Sequence, residues 1–256
     1  MNITLFQQDI AWLTPADNWQ KIEQVLLSHP ETDLLVLPEM CLTGFVLAPE
    51  QEAGIPSDAE VEQQILERAS RHQTAICGTF AVRVGNEYRN RAYFVQPDGC
   101  ISFADKHHLF APGGEARIYQ PGQERCIVQY MGIRFFLLVC YDLRFPVWAR
   151  YAEGNEYDCL ICMANWPQAR QLAWETLLPA RAIENQCFVI GVNRCGEDPI
   201  CPYLGGTRAI HPYGHIIASC PDAQESVCTF QPDMEKLLSF RQKFPTLMDA
   251  DSFDIR

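Results

Sequence analysis

Three residues at the ends of apolar runs carry the chemistry this chain could perform. The apolar run 135–139 stops at Cys140, and Tyr141, Asp142, Leu143, Arg144, Phe145 and Pro146 follow at once. That is the pattern of a buried strand ending in a sharp turn. A thiol there sits at a strand's carboxyl end, where α/β sheets bind ligands. Taken alone, Cys140 reads as core, since free cysteine is among the most buried residue types. Two other strand ends change that weighting. The run 34–37 stops at Pro38-Glu39, which sets a partly desolvated carboxylate on a rigid strand, as a general base requires. Lys106 follows a third strand in Asp105-Lys106-His107-His108 and can send its ammonium into the same pocket. A nucleophile, a base and an oxyanion stabiliser on three strand ends describe acyl transfer.

The elements that must position these groups are legible as alternating strands and helices. Residues 3–8 open with a strand, and Thr14-Pro15-Ala16-Asp17 supplies an N-cap and a first-position proline for a helix reaching His29-Pro30. The strand before Glu39 comes next, and residues 40–53 form a loop at the pocket mouth. Ser57-Asp58-Ala59-Glu60 is a capping box before the apolar stripe Val61, Ile65, Leu66 and Ala69. Residues 73–83 and 88–96 form a hairpin, and 101–103 lead to Lys106. After Cys140, residues 146–153 are expected as a short helix whose amino end, close to the thiol, favours thiolate. A strand over 157–163 delivers Asn165-Trp166-Pro167. The helix over 168–186 contains Pro179, so a break or kink is expected within a turn of it. Strands at 187–193, 207–210, 215–219 and 227–231 complete a mixed sheet, and the segment from Met234 packs on the molecule or on a second subunit. With no linker or repeat, the reading is α/β in a single domain, 1–256.

Composition bounds the partners. The 256 residues can bury a large core, and a net charge of -12 with a pI near 4.9 lacks the footprint of a nucleic-acid binder. No apolar run approaches the ~20 residues of a membrane span and no leader pattern opens the chain, so a cytoplasmic protein is expected. Twelve cysteines raise a second hypothesis, a cysteine-rich metal-binding protein. Most of them lie inside apolar strands, as small buried hydrophobes do in a reducing compartment. Cys159 and Cys162 have zinc-knuckle spacing, but three apart in a strand they face opposite sides. His107 and His108, neighbours on a loop, read as hydrogen-bonding groups.

The motifs Leu37-Pro38-Glu39, Asp105-Lys106-His107-His108-Leu109-Phe110, Cys140-Tyr141-Asp142-Leu143-Arg144-Phe145-Pro146 and Ala164-Asn165-Trp166-Pro167 resemble, in order and separation, those of the nitrilase superfamily of carbon–nitrogen hydrolases. Together with Ala180-Arg181-Ala182-Ile183-Glu184-Asn185-Gln186 they are most similar to its ω-amidase branch. The resemblance implies a four-layer αββα sandwich of two mixed sheets with helices outside, commonly assembled as a homodimer. It implies hydrolysis of the terminal amide of 2-oxoglutaramate or 2-oxosuccinamate through a cysteine thioester, with no metal or organic cofactor. In that scheme Glu39 is the base, Cys140 the nucleophile, and Lys106 with the Tyr141 N–H the oxyanion site. Glu115, alone a solvated loop charge, matches a second glutamate that bonds the lysine. Trp166 reads equally as core filler or as pocket wall. Arg144 reads equally as the anchor for a substrate carboxylate or as a structural arginine paired with Asp142 or a helix end; in the second case the anchor is sought at Arg117, Arg194 or Arg208. A different small amide, a nitrile or an N-carbamoyl compound is the alternative substrate.

Overall fold

The computed structural model describes residues 1–47 and 54–252, so residues 48–53 of the expected mouth loop lie outside the described residues. In chain order the elements are β1 (Ile3–Gln7), α1 (Pro15–Ser28), β2 (Leu34–Val36), α2 (Asp58–His72), β3 (Ala75–Val84), β4 (Glu87–Val95), β5 (Ile101–Asp105), β6 (Ile127–Tyr130), β7 (Ile133–Val139), β8 (Cys159–Ala164), α3 (Gln171–Glu184), β9 (Phe188–Asn193), β10 (Cys195–Glu197), β11 (Pro202–Leu204), β12 (Arg208–Ile210), β13 (Ile216–Ser219), β14 (Ser226–Phe230) and α4 (Met234–Lys243). They build two six-stranded sheets, β14-β1-β2-β3-β4-β5 and β13-β12-β9-β8-β7-β6. Each sheet has three parallel strands, β1-β2-β3 and β7-β8-β9, flanked by antiparallel ones.

The two-residue side-chain period of strands explains the layering. Leu5, Val36, Cys77 and Phe94 of the first sheet meet Phe135, Leu137, Val139, Ile161 and Met163 of the second in one buried core. The alternate residues of the first sheet, Leu35 and Ile76 among them, pack under Trp19, Ile22, Val61 and Ile65 of α1 and α2. Those of the second, Leu138, Leu160 and Val189, pack under Trp174, Leu178 and Ala182 of α3. This is the expected αββα sandwich. Cys159 belongs to the inner core and Cys162 to the outer one, so the two thiols do face opposite sides of β8. The capping box of α2 forms, with Ser57 N–H donating to Glu60 at 2.8 Å. At the carboxyl end of the chain, α4 docks by burying Leu237 and by an Arg241–Asp158 ion pair of 2.9 Å.

Two expectations fail. No helix occupies 146–153; instead β7 runs straight into a 3₁₀ turn over Cys140–Arg144, and turns follow. Pro146 excludes the α region for Phe145, which is extended at φ -109°, ψ 92°, so the turn stops there. The second is the break at Pro179, which does not occur: the proline lies inside an unbroken α3. Burial of Trp174, Leu178, Arg181 and Ala182 on both sides of the proline keeps the helix continuous, and packing overrides the missing donor. Pro179→Ala should therefore stabilise the protein, by up to ~3 kcal/mol, as read from urea unfolding midpoints; an unchanged or lower midpoint would show the donor is not missed.

Candidate active site

Glu39 follows β2 in a turn that β3 holds in place. Thr79 accepts from Met40 N–H at 2.9 Å through its hydroxyl oxygen, and its carbonyl accepts from Cys41 N–H at 3.1 Å. The same hydroxyl donates to Asn90 Oδ1 on β4 at 2.9 Å. Asn90 is thereby oriented with its amide nitrogen toward two carboxylates, donating to Glu39 Oε1 at 2.7 Å and to Glu115 Oε1 at 2.9 Å. Lys106, whose backbone N–H bonds to Asn90 O, puts its ammonium between the same carboxylates, 2.8 Å from Glu39 and 2.9 Å from Glu115. All three charged side chains are fully buried. Sequence reasoning missed Asn90 and Thr79. A polar pair on adjacent strands where an apolar pattern is expected was the available signal.

From the second sheet, Cys140 enters the same site with φ at +46°, a left-handed conformation uncommon outside glycine. Asp142 fixes that turn. One oxygen accepts from Val139 N–H at 3.1 Å, and the other accepts from His108 N–H at 2.7 Å and pairs with the His108 ring at 2.9 Å. The nucleophile turn and the loop after Lys106 are thus tied through one carboxylate. Asn165, at the end of β8, joins the two sheets: its N–H donates to Glu39 Oε2 at 2.8 Å and its carbonyl receives Cys140 Sγ at 3.9 Å. Glu39, Lys106, Cys140 and Glu115 are therefore brought together, on the strand ends and loop that the sequence indicated.

The electrostatics follow from burial. Desolvation alone would lower the Lys106 ammonium, but Glu115 and Glu39 outweigh it and hold its pKa well above the usual lysine value. Burial, opposed by Lys106 and assisted by Glu39, raises Glu115. Burial and then the Glu39 charge push the Cys140 thiol well above its ordinary value, more than Lys106 draws it down. These surroundings favour the protonated thiol over the thiolate. The expected helix-favoured thiolate is corrected on both counts, since neither the helix nor the lowered pKa is present.

A cavity of about 130 Å³ opens beside Cys140, walled by Phe45, Leu47, Phe110, Tyr141, Trp166 and Tyr203. Trp166 is buried against Trp174, with ring centroids 5.5 Å apart, and lines the cavity. Tyr141 packs its ring edge-on against Phe110 and Phe145, each at 5.1 Å. Arg144 lines the cavity with its guanidinium 4.9 Å above Trp166 and makes no ion pair among the described residues. Asp142 is taken by His108 and Val139, so the Arg144–Asp142 pairing does not form. Of the other arginines, Arg194 is buried and bonded to the Ile10, Cys195 and Glu197 carbonyls, Arg208 bonds Glu175, and Arg117 is exposed and does not line the cavity. Arg170 takes their place as a second cavity cation, 5.0 Å from the Phe110 ring and without an ion pair among the described residues. It was missed because an arginine at a helix start reads as surface. The β10–β11 hairpin contributes Ile200, Cys201 and Tyr203 to the mouth. The Asn165 carboxamide is buried, and neither of its polar atoms has a hydrogen-bond partner among the described residues. Such an unmatched amide costs about 1–3 kcal/mol.

Sequence and structure comparisons agree with this geometry. Omega-amidase YafV of Escherichia coli K12 is 39% identical over 254 residues, covering 99% of this chain and 98% of that protein. The 2-oxoglutaramate amidase of Bacillus subtilis 168 is 31% identical over 250 residues, covering 96% of each. The crystal structure of XC1258 from Xanthomonas campestris, a CN-hydrolase superfamily protein with an arsenic adduct in its active site, superposes with a TM-score of 0.94 at 36% identity, covering 100% of this chain and 99% of that one. With the carbon-nitrogen hydrolase family model matching residues 2–242, and with relatives above 30% identity along almost the whole chain, this protein belongs to the carbon–nitrogen hydrolase family, the nitrilase superfamily its motifs resemble.

Proposed function

We propose that this carbon–nitrogen hydrolase is an ω-amidase that releases ammonia from 2-oxo dicarboxylic acid monoamides such as 2-oxoglutaramate and 2-oxosuccinamate. The observation that carries the reading is a small apolar cavity with two guanidinium groups free of ion pairs among the described residues, beside a buried glutamate and lysine and a half-buried cysteine. A short chain with an amide at one end and a carboxylate at the other matches that distribution of charge. The relatives named for ω-amidase and 2-oxoglutaramate amidase activity support the same substrate class.

In this mechanism Glu39 takes the Cys140 proton as sulfur attacks the amide carbon. The tetrahedral oxyanion is held by the Lys106 ammonium and the Tyr141 N–H. Glu39 returns the proton to the leaving nitrogen, ammonia departs, and a water deprotonated by Glu39 hydrolyses the thioester. Glu115 keeps the Lys106 ammonium in place. Ammonia release from 2-oxoglutaramate, glutamine and a nitrile of matching length tests the reading. Glutamine or the nitrile turning over as well as 2-oxoglutaramate would refute it.

Arg144 is the proposed carboxylate anchor, because stacking on Trp166 leaves its planar fork in the cavity wall. Arg144→Lys should raise KM for 2-oxoglutaramate roughly tenfold and spare pentanamide, which lacks the carboxylate. Equal losses on both substrates would assign the anchor to Arg170 instead.

A further inference from the structure

We propose that His108 is a positioning residue for the nucleophile, its ring holding the Cys140 turn in register with the loop that carries Lys106. This rests on the reading of Cys140 as nucleophile and Lys106 as oxyanion cation, whichever amide is the substrate. A non-glycine residue at φ +46° is strained, and such a conformation persists only where its surroundings hold it. Here the hold comes from three directions. Asp142 turns back to accept from Val139 N–H at 3.1 Å, and Arg181 of α3 donates to the Leu143 carbonyl at 2.6 Å. The third comes from the other sheet, through the loop after β5. His108 Nδ1 bonds Asp142 Oδ1 at 2.9 Å, and the ring lies flat on Phe145, with centroids 3.7 Å and planes 8° apart. Since a carboxylate only accepts, Nδ1 carries the hydrogen. His108 therefore grips the turn at Asp142 and at Phe145, the residue that closes it. Lys106 stands two residues earlier on the same loop, its ammonium 2.8 Å from Glu39. A tetrahedral intermediate must meet the Cys140 sulfur and the Lys106 ammonium at once, and these two groups come from different sheets. Whatever fixes their separation acts on the rate. His108 itself does not line the substrate cavity; its ring borders a separate recess of about 180 Å³ with Phe145 and Trp148. It acts through the turn and not on the substrate, so its signature is in kcat rather than in KM.

The experiment sets ammonia release beside urea unfolding for His108→Phe and His108→Asn. His108→Phe keeps a ring to stack on Phe145 and loses the bond to Asp142. It should lower kcat roughly 10- to 100-fold and leave KM within about twofold of the wild type. His108→Asn puts an amide N–H where Nδ1 stood and gives up the stacking. It should recover most of kcat while unfolding at a lower urea concentration than His108→Phe. Activity and stability thus rank the two variants in opposite orders, which a purely structural role does not produce. Activity that follows the unfolding midpoint, with His108→Phe above His108→Asn, would overturn the proposal, as would a change in KM as large as the change in kcat. Should one variant fail to fold, the other still decides, since wild-type kcat in His108→Phe or a 10-fold or greater loss in His108→Asn overturns it as well. Turnover retained in Cys140→Ala would instead overturn the nucleophile reading beneath it, which is a distinguishable failure.

Discussion

Cys140→Ala should abolish ammonia release while leaving the fold intact, and Glu39→Gln should lower kcat by roughly 10²- to 10⁴-fold, the range of a lost general base. The two variants separate further when the thiol itself is titrated. After burial, the Glu39 charge is the main influence that raises Cys140. Removing that charge should therefore lower the thiol pKa, so that Glu39→Gln holds more thiolate at neutral pH than the wild type and still turns over slowly. Alkylation of Cys140 by iodoacetamide across pH, set beside steady-state ammonia release, measures both quantities. A faster-alkylating, slower-hydrolysing variant is the signature of a carboxylate that moves protons rather than one that stores a thiolate. Near-normal kcat in Glu39→Gln would sink the assignment of the base, and an upward thiol shift would sink the electrostatic account.

What was legible in the sequence depended on how each residue announced itself. Glu39 and Cys140 stand at the ends of apolar runs punctuated by proline, and strand ends are where the fold delivers chemistry. Glu115 had no such signal. A loop glutamate reads as solvated, and only the resemblance singled it out; it is buried because Lys106, Asn90 and the Phe110 N–H together satisfy it. Asn90 and Thr79 act across strands, through a register that periodicity does not specify. The errors at 146–153 and at Pro179 have opposite causes. In the first, Pro146 holds Phe145 extended and the segment buries Trp148 and Ala149 from turns rather than from a helix, and in the second a local breaker was overridden by the buried stripe of α3. Local rules gave way to tertiary packing only at Pro179.

Lys106→Met should show what the buried ammonium does for the site as a whole. It is the cation shared by Glu39 and Glu115, both of which also contact Asn90, and none of the three charged groups reaches solvent. Breaking a buried ion pair from one side costs about 3–5 kcal/mol, and losing an oxyanion donor costs about 10²- to 10³-fold in kcat. The variant leaves two carboxylates sharing one site, so one of them must hold a proton in the folded state. Its folded pKa is then raised above the unfolded carboxylate value of about 4.3, and the stability tied to that proton is lost as pH rises through the folded value. Lys106→Met should consequently be more stable at pH 5.5 than at pH 8. The wild type behaves differently, because the raised Lys106 contributes fully below the usual lysine pKa and loses its effect only in strong base. Adding Glu115→Gln to Lys106→Met removes one of the two competing charges. The double variant should regain stability at pH 8 and lose the pH dependence, yet stay inactive for want of the oxyanion cation. Urea unfolding at the two pH values, with ammonia release at each, decides it. Equal destabilisation at both would mean that the two carboxylates do not compete for one proton. Recovered turnover in the double variant would mean that Lys106 serves Glu115 rather than the reacting amide.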